Sequence, residues 1–539
     1  MNMGYSDIKR FKSTKILAKS GFSFAQKELA LLYLEGKGVK KNDSKAALWF
    51  RKAAEKGDLE SIFITGLIYQ IGAGVEVNAE ESVKWYIIAA ERGYAEAQDS
   101  LGQMYEHGEG IEKNYNEAFK WYESSANQGN IKGQYNLGRM YINGTGTLKD
   151  VGKGIEIITA LAEEGDADAQ NYLGVMYDAG IIVDQDYDTA LEWFKLAINN
   201  KSVLAMNNLG IMYLDGTGVE KDYQEAIKWF TLAAEEEYED AQCSLGLMYE
   251  NGWGVPQNYE EAARLYELAV EQGSTEGQNN LGVLYDNGTG VEMNEEKAVE
   301  LFALAAEKEY ELAEYNLGVM YEYGRGVEMN LEEAARLYEL AAEKGDDDAQ
   351  FSLGTMYDEG KSVEQDSKEA VKWYTLSAGQ GNASAQGNLG LMYLFGTGVK
   401  KDLKEAIRLF RLASEQGEEN AQYNLGCAYD EGVGVRRDQK EAIKWYTLSA
   451  EQGNVDAQNN LGIAYLSGEG VKRNPKEAEK WFKLAAEQNS SDAFYSLGII
   501  YLEGGDIPQD LDEALKMLLT AAELGNELAI EFLKDNDLT

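Results

Sequence analysis

A register of 36 residues governs this chain. From Ala25 to Leu528 the sequence divides into fourteen consecutive units of that length, with no insertion or deletion between them. The twelfth unit, AQYNLGCAYDEGVGVRRDQKEAIKWYTLSAEQGNVD, is typical. With positions numbered 1 to 36 inside each unit, position 9 is Tyr in all fourteen, from Tyr33 to Tyr501, and position 12 is Gly in all fourteen, from Gly36 to Gly504. Position 18 is always Asn or Asp. A chain of 539 residues is too long for one core. The repeat implies that a small unit is reused instead.

Positions 1, 5, 8 and 9 mostly carry Ala, Leu, Met and Tyr, an i, i+4, i+7, i+8 spacing that lays one apolar stripe along a helix, helix A. The glycine at position 12, joined in eleven units by another at position 14, ends that helix. Asn or Asp at position 18, followed in ten units by Glu at position 21, is an N-cap and capping-box signature for a second helix, helix B. Its apolar positions are 22, 25, 26, 29 and 30. Position 6 is Gly in thirteen units and Ala30 in the first, which predicts a close helix approach on that flank of helix A. Each unit is therefore an αα-hairpin whose apolar stripe is buried only by stacking on its neighbours. The fold class expected is all-α, an α/α solenoid. Residues 1–24 read as a half-repeat cap, with Ser6 as its N-cap, residues 25–528 as the fourteen repeats, and residues 529–539 as a C-terminal capping helix and tail.

The pattern AQxNLGxMYxxGxGVxxDxxEAxKWYxLAAEQG resembles the Sel-one-like repeat, a relative of the tetratricopeptide repeat, and the resemblance spans nearly the whole chain. It implies a right-handed superhelix serving as a scaffold or adaptor that holds a protein or peptide partner. Cysteine-rich secreted members of this family are associated with penicillin binding and weak β-lactamase activity, so a hydrolase is one alternative. An exported, host-protein-binding factor on the same scaffold is another.

The residues present argue against chemistry. The chain has one histidine, His107, and no multi-histidine zinc set. Its two cysteines, Cys243 and Cys427, leave no disulfide in each repeat, and the sole SxxK, Ser6 to Lys9, has no SDN or KTG partner. No catalytic, metal or cofactor residue is assigned, and the chain is read as a non-enzyme. The acidic run at Asp346, Asp347 and Asp348 reads as helix capping in preference to a calcium loop. A formal net charge of −43 disfavours nucleic acid as a partner. No apolar run is long enough to span a bilayer and no secretory signal is evident, so a cytoplasmic location is expected. Eight of nine tryptophans fall at position 25 and read as core; Trp253 lies in a loop.

Positions 3, 7 and 10 of helix A point away from its core stripe, and they are the candidate groove. Position 3 supplies Tyr135, Asn207, Tyr315, Phe351, Tyr423 and Tyr495; position 7 supplies Val319 and, in the fourth unit alone, a cation, Arg139. Position 10 alternates mainly between acids and Leu. The result is an apolar, aromatic strip with acidic edges, suited to a peptide with apolar anchors and basic flanks. The fourth unit departs most. Its GTGTLKDVGKG stretch puts Gly152 and Gly154 inside helix B, and Ile157 and Ile158 replace the usual aromatic pair. A flexible joint or a local change of curvature is expected there.

Overall fold

A computed structural model describes residues 5–181, 183–536 and 538. Residues 1–4 of the expected N-terminal cap, and residues 537 and 539 of the C-terminal tail, lie outside the described residues. Among those described, the protein consists of thirty α-helices in sequence, from Tyr5–Lys19 to Glu527–Asp535, and no strand. They form two compact units, Met1–Gln257 and Asn258–Thr539.

Within both units the same local rules apply. In the second repeat, helix A is Leu59–Ile71 and helix B is Ala79–Glu91. Helix A begins two residues before the register read from the sequence, because Asp58, the last residue but two of the preceding unit, is its N-cap and accepts the Ser61 N–H. It ends where Gly72 takes a left-handed φ of 73°, a conformation that costs a residue with a Cβ. The first helix departs from expectation in one detail. Ser6 lies inside the helix Tyr5–Lys19 and is not its N-cap.

Helix B starts at the predicted Asn or Asp. Asn78 accepts the Glu81 N–H at 2.9 Å and Asp510 accepts the Glu513 N–H at 3.0 Å. The reciprocal half of the capping box is not used. In all ten units that carry Glu at position 21, the carboxylate pairs with the Lys or Arg three residues on, as in Lys84–Glu81 at 2.9 Å and Arg264–Glu261 at 2.6 Å. The N-cap backbone N–H that this Glu would have reached donates instead to the carbonyl of the position-9 Tyr, at 2.8 Å from Asn78 to Tyr69 and 2.9 Å from Asn330 to Tyr321. The A–B loop is thereby closed on itself.

The position-6 glycine has a defined partner. A Cβ on Gly102 would stand 2.6 Å from the ring of Tyr122, and one on Gly318 would stand 2.7 Å from the ring of Tyr338. Position 26, the residue it meets, is at most 3% exposed in every repeat, from Phe50 to Leu518. This residue, aromatic in all repeats but the fourth and fourteenth, where Ile158 and Leu518 take its place, crosses from helix B over the bare flank of helix A in the same repeat. Position 25 works between repeats. Trp445 packs with Ala406 and Phe410 of the preceding helix B, and Trp481 packs with Ala450 and Leu461. Of the eight tryptophans at this position, Trp373, Trp445 and Trp481 are buried and the other five are half-buried.

A second link between repeats is polar. Buried Gln at position 2 donates to a carbonyl of the preceding helix B, as Gln98 does to Ala90 at 3.0 Å. The Gln at position 32 of the same repeat donates to its Oε1, as Gln128 does to Gln98 at 2.6 Å and Gln452 to Gln422 at 2.8 Å. Satisfying both ends of a buried amide makes it a staple instead of a cost. Where position 2 is Glu314, position 32 is Lys344, and the two pair at 2.6 Å.

Candidate functional site

Positions 3, 7 and 10 lie along one side of each A helix. The aromatic members of this face are half-buried, and four of them pack on the position-26 ring of the same repeat. Tyr315 packs on Tyr338 with centroids 5.6 Å apart, Phe351 on Tyr374 at 5.9 Å, and Tyr423 on Tyr446 at 6.0 Å, with interplanar angles of 35° to 37°. Phe63 repeats the arrangement on Tyr86 at 5.8 Å. Burial pushes the Tyr315 phenol up to about 12, so it is a neutral hydrogen-bonding group at physiological pH.

The other predicted residues take different places. Tyr135 makes an edge contact with Tyr172 of the next A helix at 5.9 Å, and burial raises its phenol to about 12. Arg139 lies over the Tyr135 ring, donates to Asn136 Oδ1 at 3.1 Å and pairs with Glu106 of the preceding repeat at 3.1 Å. It is a neutralised cation within the face. Val319 is half-buried against the cluster around Tyr338 and Met356. Tyr495 is half-buried on the helix Ser491–Glu503. Asn207 is 6% exposed and lies under the surface, so it supports the face from below and offers a partner little area.

The expected acidic edge is partly spent inside the protein. Glu106 accepts the Tyr122 hydroxyl at 2.6 Å as well as pairing with Arg139. Glu322 accepts the Tyr338 hydroxyl at 2.7 Å and pairs with Lys361 of the next repeat at 3.1 Å. Asp286 pairs with Arg325 at 3.1 Å. Each bridge links position 10 to a cation 33 or 39 residues on, at position 7 or 13 of the following repeat. Asp178 and Asp358 are held above the usual carboxylate range by burial.

Between adjacent A helices, position 3 also meets position 4 of the next repeat. Asn136 donates to Asp99 at 2.9 Å, Asn208 to Asn171 at 2.9 Å and Asn316 to Asn279 at 2.9 Å. These amides hold the spacing of the face. In the first unit, Phe63, Leu67, Gln70, Asp99 and Gln103 line a cavity of about 680 Å³ on it, a volume suited to several side chains of a peptide.

The histidine, the acidic run and the loop tryptophan each make contacts within the protein. His107 is exposed and its Nδ1 lies 2.9 Å from the Gln103 carbonyl. Asp346 caps the helix Asp347–Glu359, while Asp347 and Asp348 accept from Asn382. Trp253, 37% exposed, stacks on Tyr223 at 6.2 Å. Among the described residues no helix is long and apolar enough to cross a membrane.

Comparison with known proteins agrees with this geometry. The family model described as "Sel1 repeat" matches fourteen segments, the first at residues 23–58 and the last at 491–526. In twelve of the fourteen segments its frame, like the helices, starts two residues before the register read from the sequence. The crystal structure of c5321, a protective antigen of uropathogenic Escherichia coli strains displaying an SLR fold, is 35% identical, covering 78% of this chain and 91% of that one with a TM-score of 0.60. A Sel1 repeat protein from Oxalobacter formigenes is also 35% identical, covering 56% of this chain and 87% of that one with a TM-score of 0.41. No curated protein matches the chain. Proteins built from this repeat are generally interaction scaffolds and their fold is typically non-enzymatic. With fourteen matched repeats of paired helices, the chain is an α/α solenoid and belongs to the Sel1 repeat family.

Proposed function

We propose that the A-helix face holds an extended or helical peptide segment of a protein partner. The observation that carries this reading is the set of half-buried aromatics at position 3, of which Phe63, Tyr315, Phe351 and Tyr423 are each packed on a position-26 tyrosine and stay partly open to solvent. Rings already immobilised by packing lose little entropy on binding, which favours them as anchors. Half-exposed Leu67, Val175 and Ile211 at position 7 add apolar area beside them. The internal pairing of Glu106, Asp286 and Glu322 narrows the demand for basic flanks to the remaining acids. No observation favours the hydrolase alternative; Ser6 and Lys9 are both exposed on the first helix.

Peptides selected from a displayed library on the full-length protein supply the test. Tyr315→Ala and Phe351→Ala should each weaken a so-selected peptide that binds to the Asn258–Thr539 part of the full-length protein by roughly ten-fold, with far-ultraviolet circular dichroism unchanged, as expected for a central aromatic anchor. Equal affinity in both variants would sink the face as the binding site.

A further inference from the structure

Position 8 of helix A is Met, Leu or Ile in twelve repeats and Ala only in the twelfth and thirteenth, at Ala428 and Ala464. Elsewhere the long side chain fills the junction with the preceding repeat. Met104 Sδ lies 3.7 Å from Nε2 of Gln70, the preceding position 10. Met212 Cε lies 3.2 Å from where a Cβ on Gly218 would stand, beside Tyr187, the preceding position 19. The groups that correspond around Ala464 are Asp430 at position 10 and Gln439 at position 19. Both line a cavity of about 360 Å³ together with Ala464. The void is thus the space of a missing methionine, opened toward the A-helix face by Tyr423, Cys427 and Ile463.

The walls have a definite chemistry. Ile443, Ile463 and the Tyr423–Tyr446 pair are apolar surfaces, while Asp430, Glu431 and Glu469 bring carboxylates to the same space. Asp430 is also released from the duty that its counterparts perform. Tyr122 and Tyr338 donate to the position-10 acid at 2.6 and 2.7 Å, but Tyr446 donates to Cys427 Sγ at 3.5 Å. The nearest cation is Arg437, whose guanidinium is 3.8 Å from Asp430 Oδ1, whose side chain is 61% exposed and which does not line the cavity. Its Nε is engaged with the Asp430 carbonyl at 2.6 Å.

We propose that this cavity receives a flexible aliphatic chain ending in a cation: a lysine or arginine side chain of the peptide held on the A-helix face. The proposal rests on that binding reading and deepens it. The alkyl stem replaces the absent methionine against Ile443, and the charged end meets Asp430 with Tyr423 and Tyr446 beside it. Specificity follows from charge, since a neutral chain of the same length would add no cation to a space lined by three carboxylates, of which Asp430 has only the loose 3.8 Å pairing with Arg437.

The test uses the full-length protein with three small probes: Nα-acetyl-lysine amide, Nα-acetyl-arginine amide and the neutral Nα-acetyl-norleucine amide, titrated by NMR or calorimetry. The lysine or arginine probe should bind at least roughly ten-fold more tightly than norleucine, and the better of the two identifies the side chain. Ala464→Met, which installs the residue most repeats carry, should abolish that binding. Asp430→Asn should weaken it roughly ten-fold. Ala428→Met, outside the cavity lining, should leave it intact. Equal binding of norleucine, no binding of any probe at millimolar concentration, or unchanged binding in Ala464→Met would each overturn the proposal. Loss of this pocket would leave the peptide test with Tyr315→Ala and Phe351→Ala standing, so the two readings fail separately.

Discussion

The fourth repeat and the junction of the twelfth with the thirteenth both break the repeat's own rules, and they do so in opposite ways. In the fourth, Gly154 stands where the pattern has Ala, and Ile142 at position 10 is fully buried. A Cβ on Gly154 would lie 2.5 Å from Ile142 Cγ1 and 2.7 Å from the Gly138 carbonyl oxygen. The missing methyl is replaced by a neighbour, and the helix Val151–Glu163 runs unbroken. At Ala464 the missing methionine is replaced by nothing, and a cavity remains. Departures from a repeat therefore fall into two kinds. A compensated departure keeps packing dense, while an uncompensated one leaves room for something from outside the chain.

The contrast makes predictions of opposite sign. The largest effect is expected from Gly154→Leu, which forces a side chain into filled space and should cost about 3 kcal/mol, read as lost hydrogen-exchange protection in the third to fifth repeats. An unchanged protection pattern would break the packing account of that glycine. Ala464→Met should go the other way and stabilise its junction by about 1–2 kcal/mol, from the apolar atoms it removes from water. A destabilised variant would mean that the cavity has relaxed to a shape a methionine no longer fits. The smallest effect belongs to Gly152→Ala. A Cβ there meets only the Asp150 side chain, at 3.8 Å, so the gain is one helix propensity step of up to about 1 kcal/mol. Exchange in residues 150–165 that is faster than in neighbouring B helices and is slowed by this variant would support a flexible joint; no slowing would leave Gly152 a neutral surface position. Local exchange is the right readout throughout, since a repeat array's stability is a sum over units and interfaces.

Much of this was legible in the sequence, for a physical reason. Helix caps, loop glycines and apolar stripes act within one repeat, so their spacing is visible in one line of sequence. Tyr at position 9 and Asn or Asp at position 18 recur visibly although the bond between them does not show, and the glycine at position 6 implies a close approach without naming the side chain that makes it. What escaped were side-chain contacts between helices far apart in the sequence, whether within a repeat or between repeats. The buried Gln98–Gln128 pair was signalled only by Gln recurring at positions 2 and 32. Glu314 facing Lys344 was the clue that these positions touch. The acids at position 10 were read as a free edge because their partners, such as Arg139 and Lys361, sit a whole repeat further on. The capping box failed for a local reason: the Tyr carbonyl reaches the N-cap amide first, and this frees the glutamate for the following lysine or arginine.

The closed A–B loop carries a consequence for how such a chain can change its length. Its two ends are tied by the bond between positions 9 and 18, and its second glycine abuts the start of the preceding helix B, where a Cβ on Gly110 would lie 2.3 Å from the Ala79 carbonyl carbon. One added residue would have to break the tie or the abutment. Removing or duplicating 36 residues at once disturbs neither, because the spacing of each loop from the helix B before it is kept. The loop works as a ratchet with a single tooth spacing, which fits the unbroken register of the fourteen copies.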